Sequence, residues 1–472
     1  MLSIIVTGSR VLAVAVGMVL LARALGPTGF GEFTYALTLA SVLAVIPDYG
    51  FDLQIVKRVA AQPAQAYPIW RSALRAKVLL TVLAVLLAFA WFVSQRSVPD
   101  EVLVGVILFA SAIALSFGRL NTFAFRGIDR FDLDAATAIG LNGVLILGVV
   151  LAIITRPGAL SASVAFLAAR LFFLILTTWL VLRVIQHSST STPETGARDL
   201  LKEGLPYGIH TAVAVMYVST DTLILKHFAG PTGVGIYQAG VRLVLAAMFL
   251  PEVLTSGLFP SFSSAVARGS RREALELGSV MNRLMVLSGG VLAVGLILVP
   301  DTIRKLAFSS QYGDLDFLLP WFGLIILFRF VSATYGAVAT AAGGQRTRML
   351  VGVVALIVNV GVNLVLIPTY GLRGAILASV TTHALLTLGY ALLCHRLMHT
   401  WLLDKRAILS GSVILLGIIA GIVLIRSERT DWRLFITITT IVAAAVVGIR
   451  AGEWRRVVAD LAPSPVVDED HA

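Results

Sequence analysis

Gly26-Pro27-Thr28-Gly29-Phe30-Gly31-Glu32-Phe33 returns 204 residues later as Gly230-Pro231-Thr232-Gly233-Val234-Gly235-Ile236-Tyr237. The same offset carries Pro47-Asp48 onto Pro251-Glu252. Each Gly-Pro-Thr-Gly reads as a tight turn between two apolar stretches, proline pre-setting φ at its second position and glycine closing it. Any short hairpin favours Gly and Pro, but two matches in one register point to an internal repeat.

The chain around these repeats is apolar throughout. Of 472 residues, 58% are hydrophobic and 13% charged, where a soluble domain carries about a quarter charged. Mean hydropathy is +0.91, more apolar surface than a globular core of this length can enclose. A cytosolic enzyme and a secreted domain are excluded, and a polytopic all-α membrane protein is expected. Fourteen stretches match the roughly 20 residues needed to cross a hydrocarbon core: 2–22, 33–55, 78–95, 101–120, 135–155, 161–183, 206–227, 235–258, 284–300, 316–341, 351–368, 374–394, 407–425 and 434–449. Ala22-Arg23-Ala24 resembles a signal-peptide cleavage site, but Arg10 interrupts the apolar run and no cationic region precedes it. The first stretch is therefore expected to be a retained helix, and its short lead is consistent with a truncated N-terminus.

The net charge of +11 sorts by side. With the N-terminus inside, 23 of the 37 Lys and Arg residues fall in cytoplasmic segments and 10 in outer ones. The cytoplasmic set includes Lys57, Arg58, Arg71, Arg75, Lys77, Arg119 and Arg283. This asymmetry follows the positive-inside rule with both termini cytoplasmic, so no nucleic-acid partner is expected. The cationic clusters can also attract anionic membrane lipids. Cys394 is the single cysteine and cannot form an intramolecular disulfide. No Cys/His cluster has metal-ligand spacing, and neither a metal nor a cofactor is expected.

Six spans repeating as six, an even number, keep one orientation, so the halves relate by an axis along the membrane normal. Transporters built this way hold substrate between the halves and alternate access around it. The expected organisation is a six-helix bundle over 1–190, a cytoplasmic linker over 191–205, a second six-helix bundle over 206–396, appended helices over 397–449 and a cytoplasmic tail over 450–472. The two bundles are expected to surround a central cavity. The acidic Asp468-Glu469-Asp470 reads as part of a solvated tail.

These residues resemble the polysaccharide flippase family of the multidrug/oligosaccharidyl-lipid/polysaccharide exporter superfamily. Ala22 to Pro27 with Phe30-Gly31 is similar to that family's first outer turn. Asp221 to Leu225, Gly230 to Tyr237, Ala239 and Arg242-Leu243 resemble its seventh and eighth helices. Asn359, Asn363, Pro368 and Tyr370 to Ala375 resemble its eleventh and twelfth. The likeness covers roughly residues 1–400. It implies a flippase carrying undecaprenyl-diphosphate-linked oligosaccharide across the inner (cytoplasmic) membrane for cell-surface polysaccharide biosynthesis, with polysaccharide polymerase machinery as a partner. Three features depart from the pattern. Fourteen spans exceed the commonest twelve, the Arg-rich first turn of lipid II flippases is reduced to Arg23, and Arg10 stands where drug antiporters would carry an acid.

Four basic residues, Arg10, Arg170, Arg242 and Arg329, fall inside spans. Arginine at a helix centre costs roughly 2.5–3.5 kcal/mol on insertion scales, so it normally faces a cavity or a partner. Ser3, Thr7, Arg10 and Gly17 form one helical stripe. Arginine suits a diphosphate because its planar fork bonds two oxygens and keeps its charge. These four are the expected substrate-binding set. Ion pairing is the plainer alternative: at about 1.5 Å per residue, Asp221 and Arg242 lie at similar depths.

Asp48, His210, Asp221 and Glu252 are the candidate coupling or gating residues. His210, Tyr217 and Asp221 share a helix face, and a histidine can titrate near neutral pH, although helix histidines are more often simply hydrogen-bonded. Asp48 and Glu252 each follow a proline near an inner span end, where carboxylates commonly just reach water. His383 in span twelve is a weaker candidate of the same kind. Two other functions compete. A cation-coupled multidrug antiporter on the same scaffold would prefer acidic groups in the membrane. A membrane glycosyltransferase or polymerase would need larger outer loops than 301–315, which offers Asp301 and Asp314, with Asp316 just beyond.

Overall fold

The computed structural model describes residues 2–94, 99–188, 197–402, 404–425 and 430–448. Fifteen α-helices appear among them: α1 (Leu2–Asp48), α2 (Phe51–Ala61), α3 (Ala66–Ser94), α4 (Pro99–Gly127), α5 (Phe131–Thr155), α6 (Ala159–Ser188), α7 (Ala197–Ala247), α8 (Phe249–Ala267), α9 (Arg271–Leu298), α10 (Pro300–Ala307), α11 (Leu315–Ala341), α12 (Gln345–Tyr370), α13 (Leu372–Met398), α14 (Lys405–Ile425) and α15 (Thr430–Gly448). Ten helical stretches among the described residues are long and apolar enough to cross a membrane. Two of these, Val14–Asp48 and Tyr207–Ala267, each contain a sharp bend. Dividing both at the bend and adding α14 and α15 recovers the fourteen expected spans. The acidic tail lies outside the described residues.

The repeated Gly-Pro-Thr-Gly is not a four-residue turn. Each copy is a one-residue break in a continuous helical run. Gly26 has φ 67°, ψ 176° and Gly230 φ 65°, ψ −173°. Both combine a positive φ with an extended ψ, a conformation essentially confined to glycine. The proline that follows opens the second helical arm, where its missing N–H removes no hydrogen bond and its fixed φ already suits a helix. The expected spans also clipped several helices. α3 begins at Ala66 and α9 at Arg271, so Lys77 and Arg283, read as cytoplasmic loop charges, lie within helices. Their side chains are 2% and 4% exposed. A hydropathy window stops at charge, whereas the helical hydrogen-bond ladder continues through it.

The chain forms two compact units. One comprises Ser9–Ala239 with Asn359–Ala375, and the other the described residues up to Gly8, Gly240–Val358 and the described residues from Ile376 on. In the first unit α4 packs along α6. Gly118 leaves room for the Phe173 ring, whose nearest carbon is 2.5 Å from where a Cβ would lie. Below this contact Trp70 donates to Asn121 at 2.8 Å, and Asn121 donates to Thr177 and Thr178 at 3.1 and 3.0 Å. Phe51, Ile55, Val59, Trp70, Leu120 and Phe125 make the apolar core around that network.

In the second unit α9 is the central helix. Gly289 accommodates Phe330 of α11, Gly290 accommodates Ile414 of α14, and Leu287 meets Gly448 at the end of α15. Arg283 donates to Asp404 at 2.7 Å and Asn282 donates to the Leu402 carbonyl at 2.7 Å. Asp404 also caps the backbone N–H of Ala407 at 2.6 Å. These bonds fasten α14 to α9 at its first turn. Leu147, Ile154, Phe89 and Val446, between 68% and 75% exposed, lie on outward faces, as expected of helices solvated by lipid.

Candidate functional site

In the first unit the end of α1, the start of α2, the middle of α3 and the C-terminal half of α4 meet around a small charged pocket. Asp48 is the last residue of α1. Its Oδ1 accepts from Lys77 Nζ at 2.9 Å and from the Ser116 hydroxyl. Lys77 Nζ also donates to the Pro47 carbonyl at 3.1 Å and lies over the Phe51 and Phe117 rings. A lysine so enclosed is tolerable only because a carboxylate and oriented dipoles replace its water. The Pro47 carbonyl is open to Lys77 because it lies in the last turn of α1, where no intrahelical N–H follows to bond it. Arg119 lies one helical turn beyond Ser116 and lines the same pocket, together with Thr211 of α7.

Further along α4, Ser111 accepts from Arg170 Nη1 at 3.2 Å, and the guanidinium lies over the Phe166 ring at 5.3 Å. Among the described residues no carboxylate lies within ion-pairing distance of Arg170, and the charge of Arg119 acts on both Arg170 and the Asp48–Lys77 pair. Cations therefore run from the end of α1 to the middle of α6. Sequence reasoning selected Arg170 and Asp48 but counted Lys77 and Arg119 as topology charges. The missed signal is the i, i+3 spacing of Ser116 and Arg119 on α4.

A second polar cluster in this unit surrounds Asp221, which is 7% exposed. Tyr237 donates its hydroxyl to Oδ2 at 2.6 Å and Asn363 Nδ2 donates to Oδ1 at 2.6 Å. Gln238 donates to Thr222 beside it at 2.5 Å. Asn363 arrives from α12, whose Asn359–Tyr370 portion belongs to this unit. The carboxylate is thus met by two neutral donors from the stretches that carry the family likeness. His210, on the same helix face, is exposed.

In the second unit Arg329 Nε donates to Met248 Sδ at 3.2 Å, and its charge acts on His383, whose Nδ1 bonds the Ser379 carbonyl at 2.8 Å. Arg242 is partly buried, and its Nε makes no hydrogen bond among the described residues. Glu252 stands exposed in the first turn of α8. The Arg10 side chain lies outside the described residues.

A multi-pass helical membrane protein with ionisable groups held at membrane depth is the class this architecture defines. A model of the family "Polysaccharide biosynthesis protein" matches residues 1–266, and the chain belongs to that family. Among named relatives, the probable flippase AglR of Haloferax volcanii is 24% identical over 405 residues, covering 81% of this chain and 80% of the relative. A putative O-antigen transporter of Escherichia coli K12 is 22% identical over 317 residues, 66% of this chain and 75% of the relative. Among solved structures, the lipid II flippase MurJ in an inward closed conformation superposes with a TM-score of 0.74 at 14% identity, over 95% of this chain and 98% of that one. An inward-facing multidrug resistance MATE family transporter gives 0.67 at 14% identity, over 82% and 94%. These two likenesses establish the fold, and the family match establishes the kinship.

Proposed function

We propose that this protein is a flippase that carries a lipid-linked oligosaccharide across the cytoplasmic membrane by alternating access between two six-helix bundles, with both termini cytoplasmic. The observation that carries this reading is Arg170. A guanidinium near the middle of a membrane helix, bonded to a neutral serine and sharing its field with Arg119, is costly unless an anion visits it. A lipid diphosphate is such an anion. Its charges cannot cross hydrocarbon unscreened, while its prenyl chain can remain in lipid. Arg170 and Arg119, with Arg242, Arg329 and Arg10 as further members of the set, would replace the water that the diphosphate sheds. Relatives named as a flippase and as an O-antigen transporter support this assignment. Membership in a polysaccharide biosynthesis family supports a polymerase as the consumer of the exported glycan.

The test is the sidedness of lipid-linked oligosaccharide in cells depleted of the protein. Build-up of a diphosphate-linked glycan on the cytoplasmic leaflet is the expected result. Unchanged lipid intermediates with a new drug sensitivity would replace the flippase by an antiporter.

A further inference from the structure

The Asp48 pocket holds polar groups that the protein itself leaves unused. Lys77 and Ser116 both bond the same carboxylate oxygen, Oδ1. Oδ2 has no partner among the described residues, and the Asp48 side chain is 30% exposed. Arg119 is exposed on α4, and its guanidinium makes no hydrogen bond among the described residues. The same is true of the Thr211 hydroxyl. A forked cationic donor, an anionic acceptor and a hydroxyl thus share one cavity, with Phe51 and Phe123 as its apolar walls.

We propose that this pocket is a subsite for a sugar 1-phosphate group, the junction between the glycan and the diphosphate of the carried lipid. The inference rests on the flippase reading and adds to it the place where substrate is first held. Arg119 takes the phosphate, because a guanidinium fork matches two phosphate oxygens. Asp48 Oδ2 accepts from a sugar hydroxyl, and Thr211 completes the polar contacts. A site for bare phosphate would not place the carboxylates of Asp48 and Asp52 in its wall, since like charges repel. A site for a metal cation would not include Lys77 and Arg119. The combination fits a ligand with an anionic end and a hydroxyl-bearing neutral end. The pocket is small, so it holds the sugar–phosphate junction and leaves the rest of the glycan outside. Lys77 acts as a positioning residue, because its bond to Oδ1 orients the carboxylate. From Arg119 the phosphate has Arg170 as its next cation.

The experiment measures binding of inorganic phosphate and of a panel of hexose and N-acetylhexosamine 1-phosphates to the full-length protein in detergent by calorimetry. At least one sugar phosphate binds about tenfold or more tightly than phosphate. Arg119→Ala weakens both ligands by about tenfold or more, as expected for a lost charge-assisted pair. Thr211→Val and Asp48→Asn reduce the preference for sugar phosphate and spare phosphate binding. A panel that never exceeds phosphate, or an Arg119→Ala protein that binds like the wild type, overturns the subsite. Thr211→Val removes one hydroxyl at nearly constant volume and keeps the test valid if Asp48→Asn disturbs folding. Translocation in proteoliposomes separates the two readings. A wild type that does not move lipid-linked oligosaccharide removes the flippase reading. Wild-type rates in Arg119→Ala and Thr211→Val remove the subsite and take Arg119 out of the cationic set, and leave standing a flippase that works through Arg170.

Discussion

The hydroxyls of Thr28 and Thr232 lie 2.8 Å apart although 204 residues separate them in the chain, the offset at which the Gly-Pro-Thr-Gly motif repeats. The two copies of the motif meet in the first unit. A Cβ on Gly31 would lie 1.8 Å from the Pro231 carbonyl oxygen, and a Cβ on Gly235 would lie 1.8 Å from that of Pro27. This reciprocal pattern is what a local two-fold axis produces, with each glycine receiving the carbonyl of the other copy.

Gly31→Ala and Gly235→Ala should each destabilise the protein, because the obstructing atoms are backbone and cannot rotate away. Overpacking of this kind costs about 1–3 kcal/mol when the surroundings can shift. Gly29→Ala is the control, since its Cβ would meet only the Leu25 side chain, at 3.4 Å and beyond. Thermal unfolding in detergent should show a fall of several degrees for the first two and none for the third.

The double variant Thr28→Cys/Thr232→Cys should form a disulfide under mild oxidation. The single native thiol, Cys394, is fully buried, so it should not interfere. If transport opens this contact, cross-linked protein loses translocation and regains it on reduction. Undiminished translocation in the cross-linked protein would show that the seam stays closed through the cycle.

Lys77→Ala should cost about 3 kcal/mol or somewhat less. Removing one partner of a buried pair leaves the other charge uncompensated, and Asp48 is partly open to solvent. The double variant Lys77→Met/Asp48→Asn should recover much of that loss. Chemical denaturation of the four members of the cycle gives the coupling directly, and additive losses would mean the pair is not coupled.

Arg170→Ala should reduce translocation by about tenfold or more, the loss expected of one charge-assisted contact to a diphosphate, while expression and monodispersity stay normal. Arg170→Lys, which keeps the charge without the fork, should fall between. Ser111→Ala should have the smallest effect, because serine only orients the guanidinium. A normal rate in Arg170→Ala would remove the cationic path from the mechanism.

Some of this site was legible in the chain and some was not. Arg170 was visible because an arginine inside an apolar helix is costly and therefore informative. Asp48 was visible as a carboxylate following a proline. Lys77 and Arg119 look like ordinary boundary charges, since hydropathy cannot tell a charge that leaves the membrane from one that turns back into the protein. The neutral partners Ser111, Tyr237 and Asn363 carried no readable role before folding brought α4, α7 and α12 to their neighbours.

The apolar length of the segments and the repeat at 26–33 and 230–237 determined a polytopic helical membrane protein with an internally repeated motif. Those properties follow from composition and order, because hydration cost and backbone conformation are set residue by residue. The tertiary structure decided that the repeated motif is a helix break packed against its own copy, that Lys77 pairs with Asp48, and that Arg119 and Thr211 open into the same pocket. Such facts depend on which helix faces meet. Packing selects those faces through contacts between residues tens to hundreds of positions apart, and no local window contains that information.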